Sequence, residues 1–72
     1  MDVLTMQLAL KKTGYFEGVC TGDWNLQTEI AVRRFQKKMG LISDGVINEM
    51  TGTLLNTLIR DYEEREKLAY TE

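Results

Sequence analysis

Apolar residues recur with the period of an α-helix in three segments of the chain. The segments cover about residues 3–13, residues 26–39, and a third stretch that begins near Glu49. Within each segment the apolar side chains share one side of a helix. In chain order they are Val3, Met6 and Leu10, with Leu4 and Leu8 widening the stripe; Ala31, Val32, Phe35 and Met39; and Leu54, Leu55, Leu58 and Tyr62. The pattern predicts an all-α fold of three amphipathic helices.

Glycines separate the predicted helices. The chain contains six glycines and no proline, and five of the glycines flank or fill two short linkers. Gly14 and Gly40 directly follow the first and second helices, where a glycine commonly ends a helix. Lys11 and Lys12 occupy the last turn of the first helix, where positive charge is favourable. The sequence therefore predicts three helices joined by two short loops.

Residues 21–28 and 44–51 form an internal repeat with an offset of 23 positions. Each copy contains a turn glycine, a bulky apolar residue, an asparagine and, three positions later, a threonine. In order these are Gly22, Trp24, Asn25 and Thr28, and then Gly45, Ile47, Asn48 and Thr51. The asparagine is predicted to cap the following helix, with the threonine hydrogen-bonding back towards it. The bulky residue is predicted to enter the core.

Four motifs follow one another at regular spacings between residues 3 and 59. They are Met6-Gln7-x-x-Leu10-x-x-x-Gly14-Tyr15, Thr28-x-x-Ala31-Val32-x-x-Phe35-Gln36, Gly40-Leu41-x-x-Asp44-Gly45-Val46 and Thr51-x-x-Leu54. Their order and spacing resemble the peptidoglycan-binding-like domain, which is most often attached to bacterial cell-wall hydrolases and transpeptidases. The resemblance implies a compact three-helix orthogonal bundle. The glutamines of these motifs are interpreted as ordinary helix-surface residues.

The end of the chain differs in composition from the rest. Residues 60–72 are rich in charge and lie outside the resemblance. Pairs such as Asp61 with Arg65 and Glu63 with Lys67, four positions apart, would stabilise a solvated helix. We therefore predict a domain over residues 1–59, followed at 60–72 by either a charged extension of the third helix or a tail.

The composition excludes several kinds of site. The chain has no histidine, one cysteine (Cys20) and a net charge of −2. It therefore lacks the commonest general base and zinc ligand, and it cannot form an internal disulfide. The charge is unlike that of a dedicated nucleic-acid binder, and no apolar run approaches the length of a membrane span. We expect no catalysis, no cofactor, no metal and no nucleic-acid partner, and we interpret Cys20 as a small hydrophobic residue.

The first residues contain no basic segment followed by an apolar stretch, so the sequence predicts no signal peptide. The expected location is the bacterial cell wall if a parent protein, a phage or a secretion route delivers the chain. Otherwise a cytoplasmic location is expected.

Six residues are candidates for ligand binding: Tyr15, Phe16, Asp23, Arg33, Arg34 and Lys37. Aromatic faces stack on sugar rings, and a basic helix face can bind the carboxylates of peptidoglycan stem peptides, phosphates or an acidic protein. Each candidate also has a structural interpretation: the rings seal the core, the basic residues form a solvated face, and the aspartate stabilises a turn. Of the neighbours Tyr15 and Phe16, one is expected to point inward and the other to be partly exposed.

One departure from the family pattern concerns the first loop. The family usually carries Asp-Gly where this chain has Thr21-Gly22. The resemblance implies non-catalytic binding of peptidoglycan or its stem peptides, which would anchor a linked or partner protein such as a cell-wall hydrolase. The alternative is a protein–protein interaction or structural module with the same fold, for example in a phage or secretion assembly.

Overall fold

Three helices joined by two loops make up the fold. The computed structural model describes the backbone of residues 2–70 and the side chains of residues 2–68. The helices are α1 (Val3–Lys12), α2 (Leu26–Lys38) and α3 (Glu49–Tyr70), and residues 2–70 contain no strand. α1 packs against both α2 and α3. The all-α, three-helix prediction is confirmed.

The helix ends follow the local sequence. Asp2 caps α1, because its Oδ1 accepts a hydrogen bond of 2.7 Å from the Thr5 amide. Gly14 and Gly40, both with positive φ, follow α1 and α2 as predicted. α3 continues through the charged segment, so residues 60–70 form a helical extension, while residues 71–72 lie outside the described residues. The division into a domain ending at residue 59 and an appended segment remains a prediction.

One hydrophobic core lies between the helices. Its buried members are Met6, Ala9 and Leu10 of α1, Phe16 of the first loop, Ala31, Val32 and Phe35 of α2, and Leu55 of α3. The Tyr15 ring meets Phe35 edge-on, with ring centroids 5.5 Å apart, a favourable geometry for aromatic pairs. Cys20, Leu54 and Leu58 pack partly buried against this cluster. The helical period therefore identified the centre of the core, and the interpretation of Cys20 as a small hydrophobic residue is confirmed.

Four residues assigned to the apolar stripes are more exposed than predicted: Leu4, Leu8, Met39 and Tyr62. Leu4 and Leu8 lie on the side of α1 opposite the buried Leu10, at roughly 120° and 160° from it around the helix axis. Met39 is the C-cap residue of α2, beyond the last turn that the core covers. A small domain needs only part of each apolar stripe, and the remainder stays in solvent.

The two bulky residues of the repeat differ in environment. Ile47 is partly buried against the core, as predicted. The prediction is wrong for Trp24, whose side chain is 44% exposed. The two loops differ in what else they supply to the core: the first loop contributes Tyr15, Phe16 and Cys20, whereas the second contributes Ile47. The core is therefore covered without the indole, which stays on the surface.

Truncations at Leu55 and Trp24 test this assignment of the core. Leu55→Ala leaves a cavity in the fully buried cluster, and we expect it to lower the free energy of unfolding by about 2–5 kcal/mol. Trp24→Ala removes a larger side chain but one that is only partly buried, so it should cost less than half as much. Urea unfolding followed by circular dichroism measures both values. A greater loss for Trp24→Ala would contradict the assignment.

Candidate functional site

Each loop is held by the side chain of one fully buried glutamine. In the first loop, Gln7 of α1 donates from Nε2 to the Asp23 carbonyl at 3.0 Å and to Thr28 Oγ1 at 2.9 Å. Its Oε1 accepts a hydrogen bond of 2.9 Å from the Gly22 amide. The amide group thus binds both the loop and the start of α2. We refer to this arrangement as a glutamine clamp.

The second loop contains the same arrangement. Gln36 of α2 donates from Nε2 to the Val46 carbonyl at 2.9 Å and to Thr51 Oγ1 at 3.2 Å. Its Oε1 accepts from the Gly45 amide at 2.9 Å. The interpretation of the two glutamines as surface residues is therefore wrong. Their amide groups supply both donors and acceptors to a loop backbone, so they are satisfied in the interior.

Each clamp depends on the backbone of its glycine. Gly22 and Gly45 have φ values of +84° and +76°, a conformation that side-chain-bearing residues rarely adopt. This conformation directs the glycine amide inward to the glutamine Oε1. At Gly45 a Cβ atom would also lie 2.7 Å from Glu29 Cγ. The turn glycines of the repeat are therefore part of the clamps.

The helix caps adjoin the clamps. Asn25 Oδ1 accepts from both the amide and the hydroxyl of Thr28, each at 2.8 Å. Asn48 Oδ1 accepts from the Thr51 amide at 2.8 Å. Both predicted caps are confirmed, as is the hydrogen bond from the threonine side chain to the asparagine in the first copy. Because the threonine hydroxyls also accept from the glutamines, each helix start is joined to its clamp.

The two clamps differ at the residue before the glycine. Asp44 Oδ1 accepts from the Val46 amide at 2.9 Å and from Gln36 Nε2 at 3.1 Å. The bond from the Val46 amide, and secondly that from Gln36, lower the pKa of the Asp44 carboxyl below its ordinary value. In the first loop Thr21 Oγ1 accepts from the Asp23 amide at 3.1 Å. Thr21 therefore accepts a hydrogen bond from the amide two residues later, as Asp44 does in the second loop, but it carries no negative charge.

Three of the six predicted binding residues meet in one groove beside the first loop. Its volume is about 350 Å³, and it is lined by Tyr15, Phe16, Glu17, Gly18, Gln27, Ile30, Ala31 and Arg34. Phe16 is buried and Tyr15 is partly exposed, which confirms that one ring of the pair points inward. We call this feature the aromatic groove.

Gly18 contributes to the shape of the aromatic groove. A Cβ atom at this position would lie 2.5 Å from Gln27 Oε1 and 2.9 Å from Phe16 Cζ. A side chain there would displace groups that line the groove, so the close approach of loop and helix requires glycine.

The other three candidates lie outside the aromatic groove. Arg33 pairs with Glu29 across one turn of α2, with 3.2 Å between Nη2 and Oε2. Lys37 is exposed one turn beyond Arg33. Asp23 is exposed in the first loop, and its backbone, rather than its carboxylate, takes part in the clamp. The basic residues of α2 are therefore divided between two sides of the helix.

The lining residues Glu17, Gln27 and Ile30 were not predicted. One signal was present in the sequence, because Gln27, Ile30 and Arg34 recur at helical spacing on one side of α2. Together the groove presents an aromatic ring, an aliphatic side chain, an amide, a carboxylate and a guanidinium. Such a set suits a ligand that has both apolar faces and polar or anionic groups.

Two properties of the described residues bear on the kind of site. No group of three or more histidine, cysteine, aspartate or glutamate side chains within them is placed to hold a metal ion. None of α1, α2 and α3, as far as they are described, is long and apolar enough to cross a membrane.

Comparisons with known proteins give one family and one curated relative. The family described as "Putative peptidoglycan binding domain" matches residues 1–55. The N-acetylmuramoyl-L-alanine amidase CwlM of Mycobacterium tuberculosis is 36% identical over 50 residues, which are 69% of this chain and 12% of the amidase. This chain thus corresponds to a small part of that enzyme's length. No solved structure matches at a significant level.

Substitution of Gln36 by leucine tests the contribution of a clamp. The variant keeps a side chain of similar size but leaves the buried Gly45 amide without its acceptor, while the Val46 carbonyl keeps the hydrogen bond from the Asn48 amide. One unsatisfied buried group costs about 1–3 kcal/mol, so we expect a loss of that size. Gln27→Leu makes the same change at an exposed position of α2 and should stay within about 0.5 kcal/mol of the parent. Equal stability of the two variants by urea unfolding would contradict the clamp.

The lowered pKa of Asp44 predicts a pH dependence. Because the folded state favours the ionised form, its stabilisation is complete above the unfolded value of 3.8 and is lost as the pH falls through the folded pKa. Asp44→Asn should therefore lower the melting temperature at neutral pH. The difference from the parent should narrow as the pH falls below 3.8. A difference that does not change with pH would contradict the role of the charge.

Proposed function

Because this chain belongs to the putative peptidoglycan-binding domain family, we propose that it is a non-catalytic module that binds bacterial cell wall. The observation that carries the proposal is the position of the family match. Residues 1–55 include both glutamine clamps and every residue that lines the aromatic groove. The matched region therefore contains a structure that can hold a ligand.

The aromatic groove suits the chemistry of peptidoglycan. Tyr15 and Ile30 offer an apolar surface to a sugar ring or an aliphatic stem-peptide side chain. Arg34 can bind a stem-peptide carboxylate through paired hydrogen bonds, and Gln27 and Glu17 can bind amide or hydroxyl groups. Phe16 acts from beneath, because it is buried and supports the groove floor. The ligand class is thus a stem peptide with its attached sugar.

The remaining candidates act at longer range in this proposal. Arg33 and Lys37 lie on another side of α2 and attract anionic polymer without entering the groove. Asp23 lies near the other end of the first loop, where its exposed carboxylate is available to a ligand amide or hydroxyl.

A module of this kind raises the local concentration of whatever is joined to it. The groove is small and open, so a single site binds weakly, and its effect comes from keeping a linked or partner protein near the polymer. A cell-wall hydrolase is the partner class that we propose, with the similarity to part of an amidase as support. The site of action is then the cell wall, reached through a parent protein, a phage or a secretion route.

A second candidate function is a protein–protein interaction module. The observation that favours it is the extension of α3, which continues to Tyr70 and so lies largely beyond the family match. Wall binding by the aromatic groove does not require this extension.

Retention on insoluble purified peptidoglycan tests the proposed function. Arg34→Glu reverses a charge in the groove, and loss of a charge-assisted hydrogen bond should weaken retention about tenfold. Lys37→Glu makes the same change of charge on α2 outside the groove, and its effect should be less than about threefold. Sedimentation with the polymer, followed by quantification of bound protein, gives both values. Absence of retention of the parent chain would contradict wall binding, and equal losses would contradict the groove.

A further inference from the structure

Two opposite charges line the aromatic groove, one on each side of it. Glu17 belongs to the side formed by the first loop, and Arg34 belongs to the side formed by α2. Among the described residues neither side chain has an ion-pair or hydrogen-bond partner, whereas the adjacent Arg33 is paired with Glu29. A ligand with only a carboxylate would be attracted by Arg34 and repelled by Glu17. The groove therefore favours a ligand that carries both a cation and an anion.

The loop side of the groove is held on both sides of Glu17. Before it, the Phe16 amide donates to the Leu10 carbonyl at 3.1 Å. After it, Lys11 Nζ donates to the Gly18 carbonyl at 3.1 Å. Because both neighbours of Glu17 are bound to α1, its backbone is in place before a ligand arrives, and this reduces the entropy cost of binding.

Apolar groups and one carboxamide lie between the two charges. Phe16 and Ala31 are buried at the base of the groove, and Ile30 is 46% exposed beside them. The Gln27 side chain lies close to the loop, since its Oε1 would be 2.5 Å from a Cβ atom at Gly18. Its carboxamide can donate to a carboxylate and accept from an ammonium group. The groove therefore suits an aliphatic chain that ends in charged groups.

Diamino diacids have this chemistry. Diaminopimelate, which occurs in bacterial stem peptides, has an aliphatic chain whose free end carries an ammonium and a carboxylate on the same carbon. Formation of a peptide crosslink converts that ammonium into an amide and removes its charge. A groove that binds both charges therefore distinguishes a free stem peptide from a crosslinked one.

We propose that the aromatic groove binds the free zwitterionic end of a stem-peptide diamino acid, with Arg34 on its carboxylate and Glu17 on its ammonium. The inference rests on the proposed wall binding and narrows it to uncrosslinked peptide. The aliphatic chain of the ligand lies on Ile30 and Phe16, and Gln27 hydrogen-bonds to the charged end. Charge-assisted hydrogen bonds on the two sides of the groove fix the direction in which the ligand lies.

Nuclear magnetic resonance titration of the whole chain with three soluble stem peptides tests the proposal. The first peptide contains diaminopimelate with a free side-chain ammonium and carboxylate, the second has that carboxylate amidated, and the third has that ammonium acetylated. Each modified peptide loses one charge-assisted hydrogen bond, so each should bind about tenfold more weakly than the first. Equal affinity for the three peptides, or no binding of any, would overturn the proposal.

Two variants assign each charge of the ligand to its partner. Arg34→Gln should bind the free and the amidated peptides equally, while it still binds the acetylated peptide about tenfold more weakly. Glu17→Gln should show the opposite pattern. Arg60→Gln and Glu64→Gln make the same changes at exposed positions of α3, and both should discriminate among the peptides as the parent does. Discrimination that survives in both groove variants would overturn the assignment of the two residues.

Retention on insoluble peptidoglycan separates this proposal from wall binding itself. A parent chain that the polymer retains but that does not distinguish the three peptides would overturn the zwitterion site and leave wall binding supported. A parent chain that distinguishes the peptides but is not retained would support the site and contradict wall binding.

Discussion

The fold depends on two buried glutamines that bind loop backbone. A 72-residue chain has a small core, and its two loops contain no regular structure that could fix the helices they connect. Gln7 and Gln36 each fix one loop against the next helix. Each binds a glycine amide, a loop carbonyl and the threonine in the first turn of that helix. A hydrogen bond adds little net stability when it is made, but a buried amide group that lacks its partner is strongly destabilising. Loop conformations that leave the glutamine amides unpaired are therefore disfavoured, and the clamps select one conformation of each loop.

The candidate site follows from the first clamp. Gln7 fixes the end of the first loop against the start of α2, while Phe16 enters the core near the beginning of that loop. With both ends held, residues 15–18 lie along α2 and form the wall of the aromatic groove. The shape of the groove is thus a consequence of loop anchoring, and the chemistry of the groove comes from the side chains that α2 presents there, above all Arg34.

The sequence was sufficient to predict what depends on local pattern. Helical period placed Leu10, Phe35 and Leu55 in the core, and the repeat identified both asparagine caps. It failed where a tertiary contact decided the outcome. Polar Gln7 and Gln36 were assigned to the surface because most of their partners lie in the next loop, far along the chain. Trp24 was assigned to the core because it occupies the same position in the repeat as Ile47, although Tyr15, Phe16 and Cys20 already cover the core from the first loop.

The same distinction applies to the candidate site. The ring pair Tyr15 and Phe16 was recognised from composition, but the division of Arg33 and Arg34 between two sides of α2 depends on how that helix is rotated against α1.

Amide hydrogen exchange of Gly22 and Gly45 tests the clamps most directly, because these amides donate to the glutamine side chains. If the clamps hold the loops, both amides exchange as slowly as those of the core helices. Exchange at the rate of an unstructured loop would contradict the central role of the glutamines.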